Sequence, residues 1–383
     1  MGFWDSVSGA VNLTRENVAR KQRPARVNHQ PTSVQIEVTN NCNLLCIHCG
    51  RTNLSNLESI GGMTLDKFQH VFKQFPHLRS VSLFGHGEPL MAGDLFPILD
   101  WIRETKGPRF KVSITTNGIL LKNQKQVDKM VEAGVRLTVS LDATTPEVYE
   151  ATVVAKSFHK VINGMERLKK AVDEQGYKWA LNFVIMNENV EQISDIVRLG
   201  HKYGARKINL GEQNFYGAGG RKSDAFIKHA EAVRKNVEEA LALGKELGVN
   251  VVFNRRDKHV WPEHNTFVPC KYLWSLPFIT WDGYVCLCCA RPYPKIHHFG
   301  NVFEKTFQEI WFGDEYATFR EDVANGTQST VCKGCQHLHP DAEELAEEID
   351  LEERGKQARA GTELATEDPD DVGKKLPLAS GSS

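Results

Sequence analysis

No apolar run in this chain approaches the roughly 18 residues that a membrane-crossing helix needs; runs such as 183–186 and 251–253 are far shorter. Charge of one sign is also missing. Across 383 residues, 47 Lys and Arg stand against 48 Asp and Glu, so net charge carries no sign of a nucleic-acid or other polyanion partner. The balance hides an acidic tail. Residues 341–383 hold 13 acidic and 5 basic side chains, which leaves the rest of the chain positive. The first residues, MGFWDSVSGAVNLTRENVARKQ, lack the basic stretch followed by an apolar one that marks a secretory leader. The expected compartment is therefore a reducing cytoplasm, where nine cysteines are not read as a disulfide framework. A glycine-rich GxGxxG turn, the mark of a dinucleotide-binding sheet, does not follow the first strand-like run.

What is present divides into five parts. Residues 1–32 read as an amphipathic helix, with Phe3, Val7 and Val11 at helical spacing, followed by a basic linker containing Arg15, Arg20, Lys21, Arg23 and Arg26. This helix is expected to pack on the body of the protein, with membrane-surface contact through residues 1–26 as the alternative. From 33 to 215, β-branched runs alternate with helical patterns. The predicted strands are 34–38, 80–84, 110–115, 136–142, 179–186 and 207–211, with helices over 65–74, 94–104, 124–133, 160–174 and 190–203. Six such units suit a partial (βα)6 barrel related to the TIM barrel, whose chemistry lies beyond the carboxyl ends of its strands. A connecting helix and strand fill 216–265, a cysteine-rich region occupies 266–340, and the tail 341–383 has the composition of a disordered segment.

The cysteines are clustered. Three lie within 42–49, six within 270–335, and the 220 residues between hold none, a distribution that suits metal better than packing. Directly after the first strand comes Cys42-Asn43-Leu44-Leu45-Cys46-Ile47-His48-Cys49, a CxxxCxxC array. A structural zinc would lack its fourth ligand unless His48 turned inward. The spacing and its position resemble the radical S-adenosylmethionine (SAM) superfamily, in which three cysteines hold a 4Fe-4S cluster with one open iron. The resemblance implies that SAM chelates that iron, that an electron cleaves it reductively, and that the 5′-deoxyadenosyl radical abstracts hydrogen from a substrate. His48 stands where the family often has an aromatic residue, and can pack near an adenine.

Later motifs agree with the resemblance. Gly85-His86-Gly87-Glu88-Pro89 is similar to the family's GGEP segment, which implies SAM contacts from Gly87 and Glu88, with His86 in the place of a glycine. Asn117 after the third strand, and Ser140 and Asp142 on the fourth, occupy further positions implied to hold SAM. An ordinary turn at Glu88 and a satisfied internal pair at Ser140 and Asp142 are the structural alternatives. Asn182, and 212–214 after the sixth strand, point toward the same cavity.

The segment from Cys270 through Gly283 and Cys288 to Cys332-Lys333-Gly334-Cys335 resembles the SPASM/twitch extension of radical SAM enzymes. This implies a hairpin and an auxiliary 4Fe-4S cluster held by Cys270, Cys288, Cys332 and Cys335, two clusters in all. Cys286 and Cys289 are left over, as inert thiols or as replacements for Cys288, and a zinc ribbon is the alternative.

The expected activity is hydrogen abstraction from a small molecule, with oxidation of a sugar or cyclitol favoured and the auxiliary cluster accepting an electron. A maturase acting on a peptide or protein side chain is the alternative, and a zinc-stabilised binding protein the alternative of another class. An electron donor such as flavodoxin or ferredoxin is implied. Arg255, Arg256, Arg291 and Tyr293 are candidate substrate contacts, although exposed arginines are usually only solvated. Substrate identity and the fate of SAM are not legible.

Overall fold

Where the sequence alternates β-branched and amphipathic segments, the chain alternates strands and helices. The computed structural model describes residues 3–53, 59–212, 225–253, 260, 270–326 and 332. In chain order the elements are α1 (Phe3–Gln22), β1 (Ser33–Ile36), α2 (Gly50–Asn53), α3 (Leu65–Lys73), β2 (Ser80–Ser82), α4 (Leu95–Lys106), β3 (Lys111–Thr116), α5 (Gln124–Glu132) and β4 (Val135–Ser140). There follow α6 (Pro146–Val153), α7 (Phe158–Gln175), β5 (Ala180–Ile185), α8 (Asp195–Lys202), β6 (Lys207–Glu212), α9 (Ala225–Lys228), α10 (Ala230–Leu247) and β7 (Asn250–Phe253). The last part holds α11 (Tyr272–Ser275), β8 (Phe278–Ile279), β9 (Val285–Cys286), α12 (Phe307–Trp311) and α13 (Asp314–Ala324). All six predicted strands are present, each within a few residues of its expected bounds.

The described residues fall into two units. The first takes in 3–41, 59–112, 270–326 and 332, and the second takes in 42–53, 113–212, 225–253 and 260. In the first, β1 pairs in parallel with β2 on one side and with β8 on the other, and β8 turns back as an antiparallel hairpin with β9. The hairpin is not a separate appendage. It continues the sheet, with the amides of Gln35 and Glu37 donating to the carbonyls of Pro277 and Ile279 at 3.0 and 2.9 Å. Val34, Ile36 and Val38 are wholly buried on one face of β1, while Gln35 and Glu37 alternate with them.

In the second unit β4, β5, β6 and β7 pair side by side, all parallel. The strand expected in the connecting region is thus a seventh parallel strand of the sheet, because Val251 and Phe253 pair in register with Ile208 and Leu210. A helix over 146–153 that was not anticipated opens with Pro146 at its first position, where the missing N–H costs nothing.

The basic linker begins later than expected. Helix α1 runs to Gln22 and includes Arg15, Arg20 and Lys21, because no breaker precedes Pro24. It packs on the body through Asn12, Glu16 and Ala19, while Val7 and Val11 of the anticipated apolar stripe are exposed. Side-chain amides decide the contact: Asn12 donates to Gln30 O and accepts from Gln30 N, and the Glu16 carboxylate accepts from Thr32 N at 2.7 Å. Burial pushes the Glu16 carboxyl up.

Candidate functional site

In the second unit, the loop from Cys42 to Cys49 is closed by a turn in which Cys49 N donates to Cys46 O, and tied to α6 by Ile47 N donating to Thr152 O. None of the three is in a disulfide, and each residue is partly exposed. The Cys46 thiol is pushed well up by burial, and further by Cys49, Cys42 and Asp142 nearby. Three thiolates crowded in this way repel one another unless a cationic centre joins them, which suits an iron-sulfur cluster. Among the described residues, no three His, Cys, Asp or Glu side chains group tightly enough to hold one metal ion. Asn117 stands over the loop, its Nδ2 donating to Asn43 Oδ1 at 2.8 Å and lying 4.0 Å from Cys42 Sγ.

His48 Nε2 lies 3.5 Å from Asp142 Oδ2, and the other carboxylate oxygen of Asp142 accepts from Val184 N at 2.7 Å. Burial raises the Asp142 pKa, with His48 and the Val184 amide pulling it back. Ser140 pairs in register with Asn182, and Asn182 with Asn209. These three form a polar row across β4, β5 and β6, with Asn209 Nδ2 donating to Asn182 Oδ1 at 2.7 Å. Sequence reasoning missed Asn209, although it stands between Ile208 and Leu210 in the same alternation that exposed Asn182. Of the polar group after β6, Glu212 ends the strand, while residues 213 and 214 lie outside the described residues.

In the first unit, Gly87 is pressed against the end of the β1 segment: a Cβ there would collide with the carbonyls of Thr39 and Asn41, so only glycine fits. Glu88 N donates to Asn41 O at 2.8 Å, one residue before Cys42. The Glu88 carboxylate is buried and accepts from Leu90 N, capping the 3-10 turn Pro89–Met91. His86, in the family's glycine position, donates through its backbone to Glu37 Oε1 at 2.8 Å and packs its ring 5.1 Å from Tyr293.

The C-terminal cysteines are in the first unit too. Cys286 is wholly buried on β9, and Cys270, Cys288 and Cys332 are partly exposed; Cys335 lies outside the described residues. Burial raises the pKa of the Tyr316 phenol, Arg320 pulls it back, and Cys270, Cys288 and Cys286, all within electrostatic reach, push it up again. Cys289 is set apart, its buried thiol hydrogen-bonded to the Gln35 side chain. Gly283 turns the hairpin with φ +94°, where a side chain would strike Phe303 and Asn301. Arg291 and Tyr293 are buried rather than exposed; Arg255 and Arg256 lie outside the described residues. Beside the hairpin is a cleft of about 300 Å³ whose lining includes Glu37, Trp281, Asp282, Tyr284, Lys295 and His298. Nothing in the sequence had pointed to it.

Residues 36–200 match the model of the radical SAM superfamily, and residues 270–336 that of an iron-sulfur cluster-binding domain, SPASM. Residues 36–200 are a radical SAM domain, and residues 270–336 a SPASM-type iron-sulfur cluster-binding domain. These two domains imply SAM and iron-sulfur clusters as cofactors. A probable GTP 3′,8-cyclase of Methanocaldococcus jannaschii is 34% identical over 178 residues, 45% of this chain and 56% of that protein. An AdoMet-dependent heme synthase of Methanosarcina barkeri is 29% identical over 178 residues, 46% of this chain and 48% of that protein. The chain thus spans about half the length of these curated relatives. Among solved structures, Streptococcus suis SuiB bound to S-adenosylmethionine aligns with a TM-score of 0.65 at 19% identity, covering 85% of this chain and 75% of that one. That likeness carries the fold, a mostly parallel α/β sheet in an open partial barrel with a C-terminal extension. No helix among the described residues is long and apolar enough to cross a membrane.

Proposed function

We propose that this enzyme cleaves SAM reductively at a cluster held by Cys42, Cys46 and Cys49 and oxidises a polar small molecule, sugar-like or cyclitol-like, with help from a single auxiliary cluster. The observation that carries the reading is the CxxxCxxC loop just past β1, within the residues that match the radical SAM model, where Cys42 and Cys49 both act on the buried Cys46 thiol. When bound, such a cluster supplies the electron that converts SAM to methionine and a 5′-deoxyadenosyl radical. The chain's own residues do the rest. His48, held by Asp142, offers its ring to the adenine, and the row Ser140, Asn182 and Asn209 offers hydroxyl and amide groups to the ribose and the methionine carboxylate. Glu88 is assigned to the ammonium group of SAM, and Gly87 lets the backbone approach it. Asn117 steadies the loop from above.

Cys270, Cys288, Cys332 and Cys335 are assigned to hold the auxiliary cluster, which would supply an acceptor for the one electron that a substrate radical gives up on becoming the oxidised product. A flavodoxin or ferredoxin is the proposed source of reducing electrons. The cleft beside the hairpin supports a polar small molecule, because its aromatic faces, carboxylates and a lysine bind hydroxyl and amino groups by stacking and hydrogen bonds. A peptide substrate is the second reading; the likeness to SuiB bound to its precursor peptide SuiA, at 19% identity, lends it a shared architecture only.

The deciding experiment is anaerobic reconstitution followed by dithionite and SAM. The wild-type chain is expected to form 5′-deoxyadenosine, and the chain with Cys42, Cys46 and Cys49 all replaced by Ala to form none. Equal yields from the two would overturn the assignment.

A further inference from the structure

The turn that carries Cys270 is gripped by donors at three carbonyls, those of residues 270, 273 and 274. Arg23 Nη2 donates to Cys270 O at 2.6 Å, Arg320 Nε to Leu273 O at 2.9 Å, and His29 Nε2 to Trp274 O at 2.8 Å. Two of these donors are guanidinium groups, and both are placed at a cost.

Arg320 is completely buried, and among the described residues no carboxylate pairs with it. Its Nη1 donates to Trp311 O at 3.0 Å, its Cζ lies 4.2 Å from the ring centres of both Trp311 and Tyr316, and its Nη2 has no hydrogen-bond partner among the described residues. Burying a cation without an anion costs several kcal/mol. Aromatic faces offset part of that. The ring of Tyr316 that Arg320 covers is the one within electrostatic reach of Cys270, Cys286 and Cys288.

Arg23 sits just past the end of α1 with φ +55°, in the left-handed region. That conformation costs a non-glycine residue about 1–2 kcal/mol, and glycine would adopt it freely. The strained residue caps the helix through its own N–H to Ala19 O at 2.8 Å and lays its guanidinium 5.3 Å over Trp274. The Trp274 indole in turn donates to Pro24 O at 2.8 Å. Helix capping alone would favour Gly at this position. An arginine is explained by what its side chain reaches.

We propose that Arg23 and Arg320 form a cationic clamp on the Cys270 turn, positioning this ligand and making the auxiliary cluster easier to reduce. The inference rests on the reading that this site holds an iron-sulfur cluster. Adding an electron makes the site more negative, so a fixed positive charge nearby favours the reduced form. The clamp therefore acts in the direction an electron acceptor needs.

The test uses the full chain with Cys42, Cys46 and Cys49 replaced by Ala, so that only the auxiliary site reports. Iron content, the reduced-state EPR signal, midpoint potential and Tm are measured for this parent, for R23G and for R23K. R23G releases the backbone strain, so Tm is expected to hold or rise. Its reduction equilibrium is expected to fall about tenfold, which is 59 mV for one electron, or its iron to be lost at unchanged Tm. R23K keeps the charge and is expected to stay close to the parent. An R23G protein with the parent's iron, potential and EPR signal would overturn the clamp. A parent without iron would instead overturn the cluster reading, so the two failures are distinguishable.

Discussion

Asp142 is shared between two partners, with one oxygen 3.5 Å from His48 Nε2 and the other accepting from Val184 N at 2.7 Å. Through it the loop of Cys46 and Cys49 is fastened to the region just past β4 and to the neighbouring strand β5. Removing the carboxylate should therefore act on both the loop and the strand.

Asp142→Ala leaves the Val184 amide without its acceptor and is expected to cost about 1–3 kcal/mol of stability. Asp142→Asn keeps an oxygen for Val184 and should cost less, while still releasing His48. Urea unfolding of the two variants, together with iron retained after reconstitution, checks this. Equal stability of Asp142→Ala and wild type would refute the shared role.

Glu88 has a local task and a proposed distant one. Its carboxylate caps the Pro89–Met91 turn through Leu90 N at 3.0 Å, and a lost cap costs about 0.5–2 kcal/mol. If it also binds the ammonium of SAM, Glu88→Ala should weaken SAM affinity by roughly ten to a hundredfold. Glu88→Gln separates the two, since an amide oxygen can cap without charge. Wild-type SAM affinity in Glu88→Gln, measured anaerobically by equilibrium dialysis, would reduce Glu88 to a capping residue.

Double replacement of Cys332 and Cys335 by Ala should remove about four irons, keep 5′-deoxyadenosine formation, and abolish substrate oxidation. Retained oxidation would rule out the electron-acceptor role, and zinc at this site in the wild-type protein would rule out the auxiliary cluster.

Acidification should destabilise the first unit through two histidines. His29 is buried with Nε2–H donated to Trp274 O, which leaves Nδ1 as the unprotonated nitrogen, and burial lowers its pKa. Burial lowers that of His297 as well. A folded pKa below the unfolded one means that the stability is present above about pH 6.5 and is lost as pH falls through the depressed values. Tm is expected to drop between pH 7.5 and 5, and His29→Gln to flatten part of that drop. A pH-independent Tm over this range would contradict it.

The barrel elements were legible because their periodicity is local. Runs such as 136–142 and 207–211 state their own alternation, and CxxxCxxC is a spacing along one loop. What stayed hidden depended on distant partners. The apolar stripe of α1 suggested one docking face, but Asn12 and Glu16 dock it by hydrogen bonds to residues 30 and 32, an arrangement periodicity cannot encode. Arg320 could have been noticed: with Tyr316, Phe319 and Val323 it falls on one helical stripe. A charge on an apolar stripe reads as surface until its burial is seen. The cleft beside the hairpin joins residues near 37 to residues near 290, a separation no motif spans.

The parallel pairing of β8 with β1 also bears on how divisible this enzyme is. The amides of Gln35 and Glu37 find their acceptors at Pro277 and Ile279, some 240 positions later in the chain. A protein truncated ahead of β8 would present those donors on a bare rim, ready to pair with the same rim of another molecule. Shortening the chain would thus yield a self-associating fragment in place of a smaller catalyst. During synthesis the first strand must wait, with one side open, until most of the polypeptide has been made.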